Sequence, residues 1–241
     1  ERSRGLGDVY KRQIILGVTA LITNVAIQKT TFKYEIPYML LITAVLLVMG
    51  MTGNEITFIE GVILWILFIA YLLYLYFLAK KGNDSGDEQS VKLYPVWKCL
   101  LFIVLGGVCV VIGSQLVVNG ATTIARACGM SERFIGLTIV AFGTSLPELV
   151  TSVSAARKGN AGIAIGNIVG SNIFNILFVI GTVALICPVP FESRFVIDTV
   201  VAILCGVLLW GGTIRHKELR KPCGVVMLLC YAAYFVYLAA M

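Results

Sequence analysis

Charge is what this chain has least of. Asp, Glu, Lys and Arg make up 13% of its 241 residues, hydrophobic residues make up 59%, and mean hydropathy is +0.92. A water-soluble domain carries about 25% charged residues, so that class is excluded. Histidine is nearly absent as well: His216 stands alone in a basic loop at 214–222, with no second imidazole to form a ligand pair. The seven cysteines, at 99, 109, 128, 187, 205, 223 and 230, contain no CxxC pair. They read as small buried hydrophobes rather than as a metal or redox site.

In place of charge there are apolar runs of bilayer length. They lie at 35–52, 58–79, 94–118, 134–156, 161–186, 195–213 and 223–241, with a shorter piece at 14–27. A spanning helix needs about 20 such residues. The pattern predicts an all-α polytopic membrane protein with about seven full transmembrane helices and part of another; a β-barrel needs weak alternating stretches instead. The net charge of +6 follows topology and not nucleic acid. If each run crosses once, the Lys and Arg beyond residue 13 divide twelve to three, the minority being Arg126, Arg133 and Arg194. The positive-inside rule then puts the larger set in the cytoplasm and the C-terminus on the external or periplasmic side. The expected surroundings are a cell membrane, crossed many times, with lipid as the contacting phase.

The most polar internal stretch, Lys80 to Lys92, reads as a solvated cytoplasmic linker at 81–93. It divides the chain into 14–80, with three apolar segments, and 94–241, with five. These parts are related. Ile15–Val25 aligns with Val179–Val189, matching Gly17 with Gly181, Ala20 with Ala184, Leu21 with Leu185, Ile22 with Ile186 and Val25 with Val189. Gly61 and Gly224 then mark the last span of each copy. An internal repeat with an odd number of spans between copies predicts two halves inverted relative to each other, as in transporters with a site at the repeat interface. Residues 1–13 are charged, lack an apolar core of signal-peptide type and resemble nothing downstream. They read as a non-native leader, an assembly artefact joined to a truncated frame, with a native basic arm as the alternative.

Within this apolar background, Glu148 stands inside the run 134–156, in Gly136-Leu-Thr-Ile-Val-Ala-Phe-Gly-Thr-Ser-Leu-Pro-Glu148. An ionisable group at membrane depth costs about 2.5–3.5 kcal/mol on insertion scales and so marks a functional position. Ala141, Thr144, Ser145 and Glu148 share one helical face, and Ser152 extends it. Pro147 cannot donate the bond that the Gly143 carbonyl would accept, so Gly143 and Pro147 mark a helix break that frees backbone oxygens. In Gly166-Asn-Ile-Val-Gly-Ser-Asn-Ile-Phe-Asn175, residues Asn167, Ser171 and Asn175 form a second stripe, with Asn172 beside it. The short turn Arg157–Asn160 makes the two helices antiparallel neighbours. Ser152 and Asn167 read as interhelical glue. The remaining oxygens suit a hard cation: calcium takes six to eight oxygen ligands from carboxylates, carbonyls and water. One carboxylate leaves a divalent ion under-neutralised, so a second is expected from a missing N-terminal half.

Through Gly143-Thr-Ser-Leu-Pro-Glu148 and Gly170-Ser-Asn-Ile-Phe-Asn175 the chain resembles the cation/calcium antiporter superfamily, the sodium/calcium exchangers, and most closely its prokaryotic branch. These stretches look like the second of that family's two alpha-repeats, and the resemblance extends over about 14–241. It implies an inverted-repeat bundle of ten helices, of which this chain keeps the tail of helix 3 and helices 4 to 10, in a bacterial or archaeal inner or plasma membrane. It further implies Ca2+ and Na+ as transported ions, held by Glu148, Thr144, Ser145, Ser171 and the Ala141 carbonyl, with Asn172 and Asn175 alongside, and no cofactor. Asn175 stands where many relatives carry Asp. The expected activity is exchange of Na+ for Ca2+ and not enzymatic catalysis. A proton/cation exchanger on the same scaffold is the alternative, with a non-transporting membrane protein behind it. An intramembrane serine hydrolase through Ser145 lacks a His or Lys base at membrane depth.

Overall fold

The computed structural model describes residues 15–22, 24–83, 95–136, 139, 143, 145–214 and 217–240. The leader 1–13, residues 84–93 of the linker, and His216 lie outside them. The helices in order are α1 (15–22), α2 (Ile36–Gly53), α3 (Phe58–Asn83), α4 (Val96–Ala127), α5 (Glu132–Ile135), α6 (Leu146–Arg157), α7 (Ala161–Phe174), α8 (Gly181–Ile186), α9 (Ser193–Thr213) and α10 (Lys221–Ala240). Two-residue strands β1 (Val25–Ala26), β2 (Glu55–Ile56), β3 (Val189–Pro190) and β4 (Glu218–Leu219) lie in the connections. A π turn at Thr31–Glu35 leads into α2, and another at Asn175–Ile180 joins α7 to α8.

Proline placement explains much of this punctuation. Pro37, Pro147 and Pro222 fall in the first turns of α2, α6 and α10, Pro95 caps α4, and Pro188 and Pro190 lie in the α8–α9 connection. At Pro95, Pro147 and Pro222 the helix start has no amide to lose; Pro37 instead lies within the span Thr31–Gly53, directly after the π turn.

Among the described residues, five helices are long and apolar enough to cross a membrane: Thr31–Gly53, Phe58–Lys81, Val96–Ala127, Gly162–Ile186 and Phe195–Thr213. About seven were expected. Of the expected span 134–156, α5, α6 and the helical residues 136, 139 and 143 are described, and the expected span 223–241 is α10, Lys221–Ala240. The span expected at 94–118 continues to Ala127. The protein is a helical membrane bundle.

The chain forms two compact units, one comprising residues up to Phe68 and from Glu148 onward, the other Ile69–Pro147. In the first, α2 packs along α9 and against α7. Ile36, Ile42 and Leu46 of α2, Ile165, Ile168 and Ile173 of α7, and Ile176 and Leu177 of the π turn are at most 2% exposed. Leu41, Ile59, Ile66, Leu204 and Leu229 face outward, as a lipid solvent permits.

The contacts of this unit come in twins. Strand β1 pairs antiparallel with β4, matching Val25 with Leu219 and Ala26 with Glu218. Strand β2 pairs with β3, matching Ile56 with Val189 and Glu55 with Pro190. Asn54 and Lys217 both take left-handed backbone angles, φ 54 and 53. The Asn54 carbonyl accepts from Phe191 N at 2.7 Å, and the Lys217 carbonyl accepts from Ile27 N at 2.8 Å. A Cβ on Gly61 would lie 2.9 Å from Ala184 Cβ and 3.1 Å from Gly181 O; one on Gly224 would lie 2.8 Å from Ala20 Cβ and 3.0 Å from Gly17 O. The residues aligned as a repeat therefore occupy equivalent contacts.

In the second unit, α4 packs against α5, and Arg126 holds Glu132 through two hydrogen bonds, Nε to Oε1 at 2.6 Å and Nη2 to Oε2 at 2.9 Å. That bonded guanidinium keeps the Glu132 carboxyl below the usual carboxylate range. No part of the most apolar stretch of α4 is buried.

Gly61→Val and Gly224→Val should each destabilise the protein by about 1–3 kcal/mol through overpacking. Gly107→Val, with nothing within 4 Å of its added Cβ, should leave stability unchanged or slightly raised. Thermal unfolding in detergent compares the three.

Candidate cation site

The site is built where α6 and α7 run antiparallel. Gly159, at φ +80, ends α6; its N–H donates to Ala156 O at 3.1 Å and that of Asn160 to Ala155 O at 2.9 Å. This closing pattern needs a left-handed residue, which glycine adopts without a Cβ penalty. Two residues later α7 starts in the opposite direction. Asn167 ties the helices together: its Nδ2 donates to Ser152 Oγ at 3.2 Å and to Thr151 Oγ1 at 3.3 Å. The Thr151 hydroxyl in turn donates to the Glu148 carbonyl at 3.0 Å. The expected glue roles of Ser152 and Asn167 have this geometry.

One turn from that bridge, on each helix, stand Glu148 and Ser171. Because the helices are antiparallel and locked at Ser152–Asn167, the two residues come to the same level. Glu148 lies in the first turn of α6, where the exposed amides favour a carboxylate. Its Oε2 is shielded from solvent and has no hydrogen-bond partner among the described residues. A buried carboxylate oxygen without a donor is strongly disfavoured unless a cation or proton answers it. Ser171 Oγ donates to Asn167 O at 2.6 Å, which leaves its lone pairs available as an acceptor. Asn175, half-buried, opens the π turn one turn further along.

Ser145 is 7% exposed and immediately precedes α6, with Pro147 inside the first turn. A Cβ on Gly143 would collide with Val118. Ala141 and Thr144 lie outside the described residues. Asn172 is 6% exposed and turns Nδ2 to Met39 Sδ at 3.4 Å. There it lines, with Thr43 and Cys205, a cavity of about 30 Å³ in the first unit. Among the described residues no group of three or more His, Cys, Asp or Glu could hold a metal. The chemistry available is one carboxylate plus hydroxyl and amide oxygens, donor types that suit a hard cation.

The sodium/calcium exchanger protein family profile matches residues 13–77 and 98–240. The chain belongs to the sodium/calcium exchanger family. The putative antiporter CaxA of Alkalimonas amylolytica is 34% identical over 231 residues, 92% of this chain and 72% of that protein. The sodium/calcium exchanger MaX1 of Methanosarcina acetivorans is 38% identical over 142 residues, 58% of this chain and 41% of its own. A solved structure of the sodium-calcium exchanger NCX_Mj, soaked with zero Na+ and Ca2+, superposes with TM-score 0.77 at 29% identity, covering 96% of this chain and 74% of that one. The resemblance read from the Gly143–Glu148 and Gly170–Asn175 motifs is thereby borne out. Exchangers are multi-pass membrane transporters, and this chain has their helical bundle.

Two polar contacts escaped the sequence reading. Thr151, the link from Asn167 to Glu148, looked like any helix threonine. Asp198 of α9 accepts a hydrogen bond from the Tyr234 hydroxyl of α10, although an acid inside the run 195–213 was visible as a second intramembrane carboxylate. If the Asn167 amide ties α6 to α7, a double-mutant cycle with Asn167→Ala and Ser152→Ala should return a coupling of about 0.6 kcal/mol, the average for polar contacts between membrane helices. Thermal unfolding of the four proteins measures it.

Proposed function

We propose that this exchanger-family chain exchanges Na+ for Ca2+ by alternating access, with Glu148 as the charged ligand. The observation that carries the reading is the solvent-shielded Oε2 of Glu148, without a hydrogen-bond donor among the described residues, in the first turn of α6. Thr144, Ser145, the Ala141 carbonyl, Ser171 and Asn175 are the proposed neutral ligands. Asn172, whose Nδ2 is engaged by Met39, joins that set only through its carbonyl oxygen.

Sodium and calcium are both hard cations that accept oxygen ligands, so one cluster serves both in turn. Two sodium ions neutralise no more charge than one calcium ion. Exchange then requires that the protein reorient readily when the site is suitably occupied and resist reorientation when Glu148 is left bare. The Glu148 charge falls short of balancing a divalent ion; in this reading a second carboxylate comes from outside the described residues, from a half matching the one that carries Glu148. The basic loops face the cytoplasm and the C-terminus faces outward.

In vesicles containing the exchanger with both halves, Glu148→Gln should abolish Ca2+ uptake driven by an outward Na+ gradient. Uptake at the wild-type rate would rule out Glu148 as a ligand. Replacing the Na+ gradient with a pH gradient should drive no uptake; equal uptake would make the counter-ion a proton.

A further inference from the structure

The two β ladders give the first unit chemically different ends. The β1–β4 ladder joins the α1–α2 connection to the α9–α10 connection, and the α6–α7 turn is drawn to the same place, since a Cβ on Gly162 would meet the Gln28 side chain at 2.6 Å. The α1–α2 segment carries Lys29 and Lys33, the α6–α7 turn Arg157 and Lys158, and the α9–α10 segment Lys217, Arg220 and Lys221, all exposed. Glu218, 3.6 Å from Arg220, offsets one of these charges. The opposite end, at the β2–β3 ladder, carries Glu55 and Glu192.

Aromatic side chains stand just inside the basic rim. Trp210, in the last turn of α9, packs on Phe32 with ring centroids 6.4 Å apart and is 37% exposed. Tyr34 is 50% exposed, with Lys33 Nζ 5.2 Å from its ring centroid. Amphipathic aromatics below a ring of cations are the mark of the headgroup layer of a bilayer.

We infer that this rim is a binding surface for the phosphate groups of anionic lipids. Topology alone requires basic residues on one side of the membrane but not their convergence. Here the α1–α2 and α9–α10 segments, distant in sequence, are pinned together by the β1–β4 ladder and by Ile27 N donating to Lys217 O at 2.8 Å, and the start of α7 lies against Gln28 beside them. The cations are thus held near one another before any lipid arrives, and their repulsion is relieved when phosphates fill the spaces between them. The inference is independent of which ions are exchanged at Glu148.

The test is thermal unfolding of the full chain in neutral detergent supplemented with phosphatidylglycerol, with phosphatidylcholine, or with inorganic phosphate. Phosphatidylglycerol should raise Tm by about 2–4 °C, and the other two should not. The triple substitution Lys217→Gln, Arg220→Gln, Lys221→Gln should lose at least half of that rise, and Arg194→Gln, next to the other ladder, should keep it. If the triple variant fails to fold, native mass spectrometry of the unaltered chain should show retained phosphatidylglycerol that high salt removes. An equal rise in phosphatidylcholine, an equal rise with inorganic phosphate, a rise kept in the triple variant, or lipid retention indifferent to salt would overturn the inference.

Discussion

A carboxylate oxygen cut off from water cannot be left unanswered, and the chain around Glu148 is arranged by that requirement. The helix is interrupted ahead of it, so amides of a first turn surround the acid. The neighbouring helix is brought back at once by the Gly159 turn and pinned through Asn167, so hydroxyl and amide oxygens stand level with it. Each of these features would weaken an ordinary core. Together they make the place where we propose that a cation binds.

The frame that holds the site follows from duplication. Matching ladders, matching left-handed residues and matching glycine contacts bind α1, α2 and the start of α3 to α8, α9 and α10. Each half uses the other as its packing surface, which is why a short apolar piece such as α1 is held in place: Ile15 and Ala20 are at most 1% exposed. The sequence of Lys217 departs from its twin Asn54, yet the backbone does not. The hydrogen bond from Ile27 outweighs the local preference of lysine for right-handed angles.

Much of this was legible beforehand because lipid imposes coarse rules. Bilayer-length apolar runs locate most helices, and the positions of Gly17, Ala20, Gly61 and their partners reveal the repeat because close backbone approach tolerates only small residues. Glu148 announces itself by cost. What the pattern could not show depends on hydrogen bonds between distant segments or on local departures from a regular helix. The two-residue ladders have no strand periodicity. The start of α6 at Leu146 carried a signal at Pro147. Asn172 illustrates the limit of a helical stripe: one position from Ser171, it turns to Met39 on α2.

The π turn at Asn175–Ile180 introduces a phase slip of about 100° between α7 and α8. Before it, the rod presents Asn167 and Ser171 to α6. Within it and after it, the rod presents Phe178 and Thr182 to α3, where Trp65 Nε1 donates to Thr182 Oγ1 at 3.2 Å and Phe178 lies 5.2 Å from the Trp65 ring. One continuous rod thus has two azimuths, a polar one toward α6 and an aromatic one toward α3. Asn175 sits on the seam between them, so a shift in its side chain is felt by both.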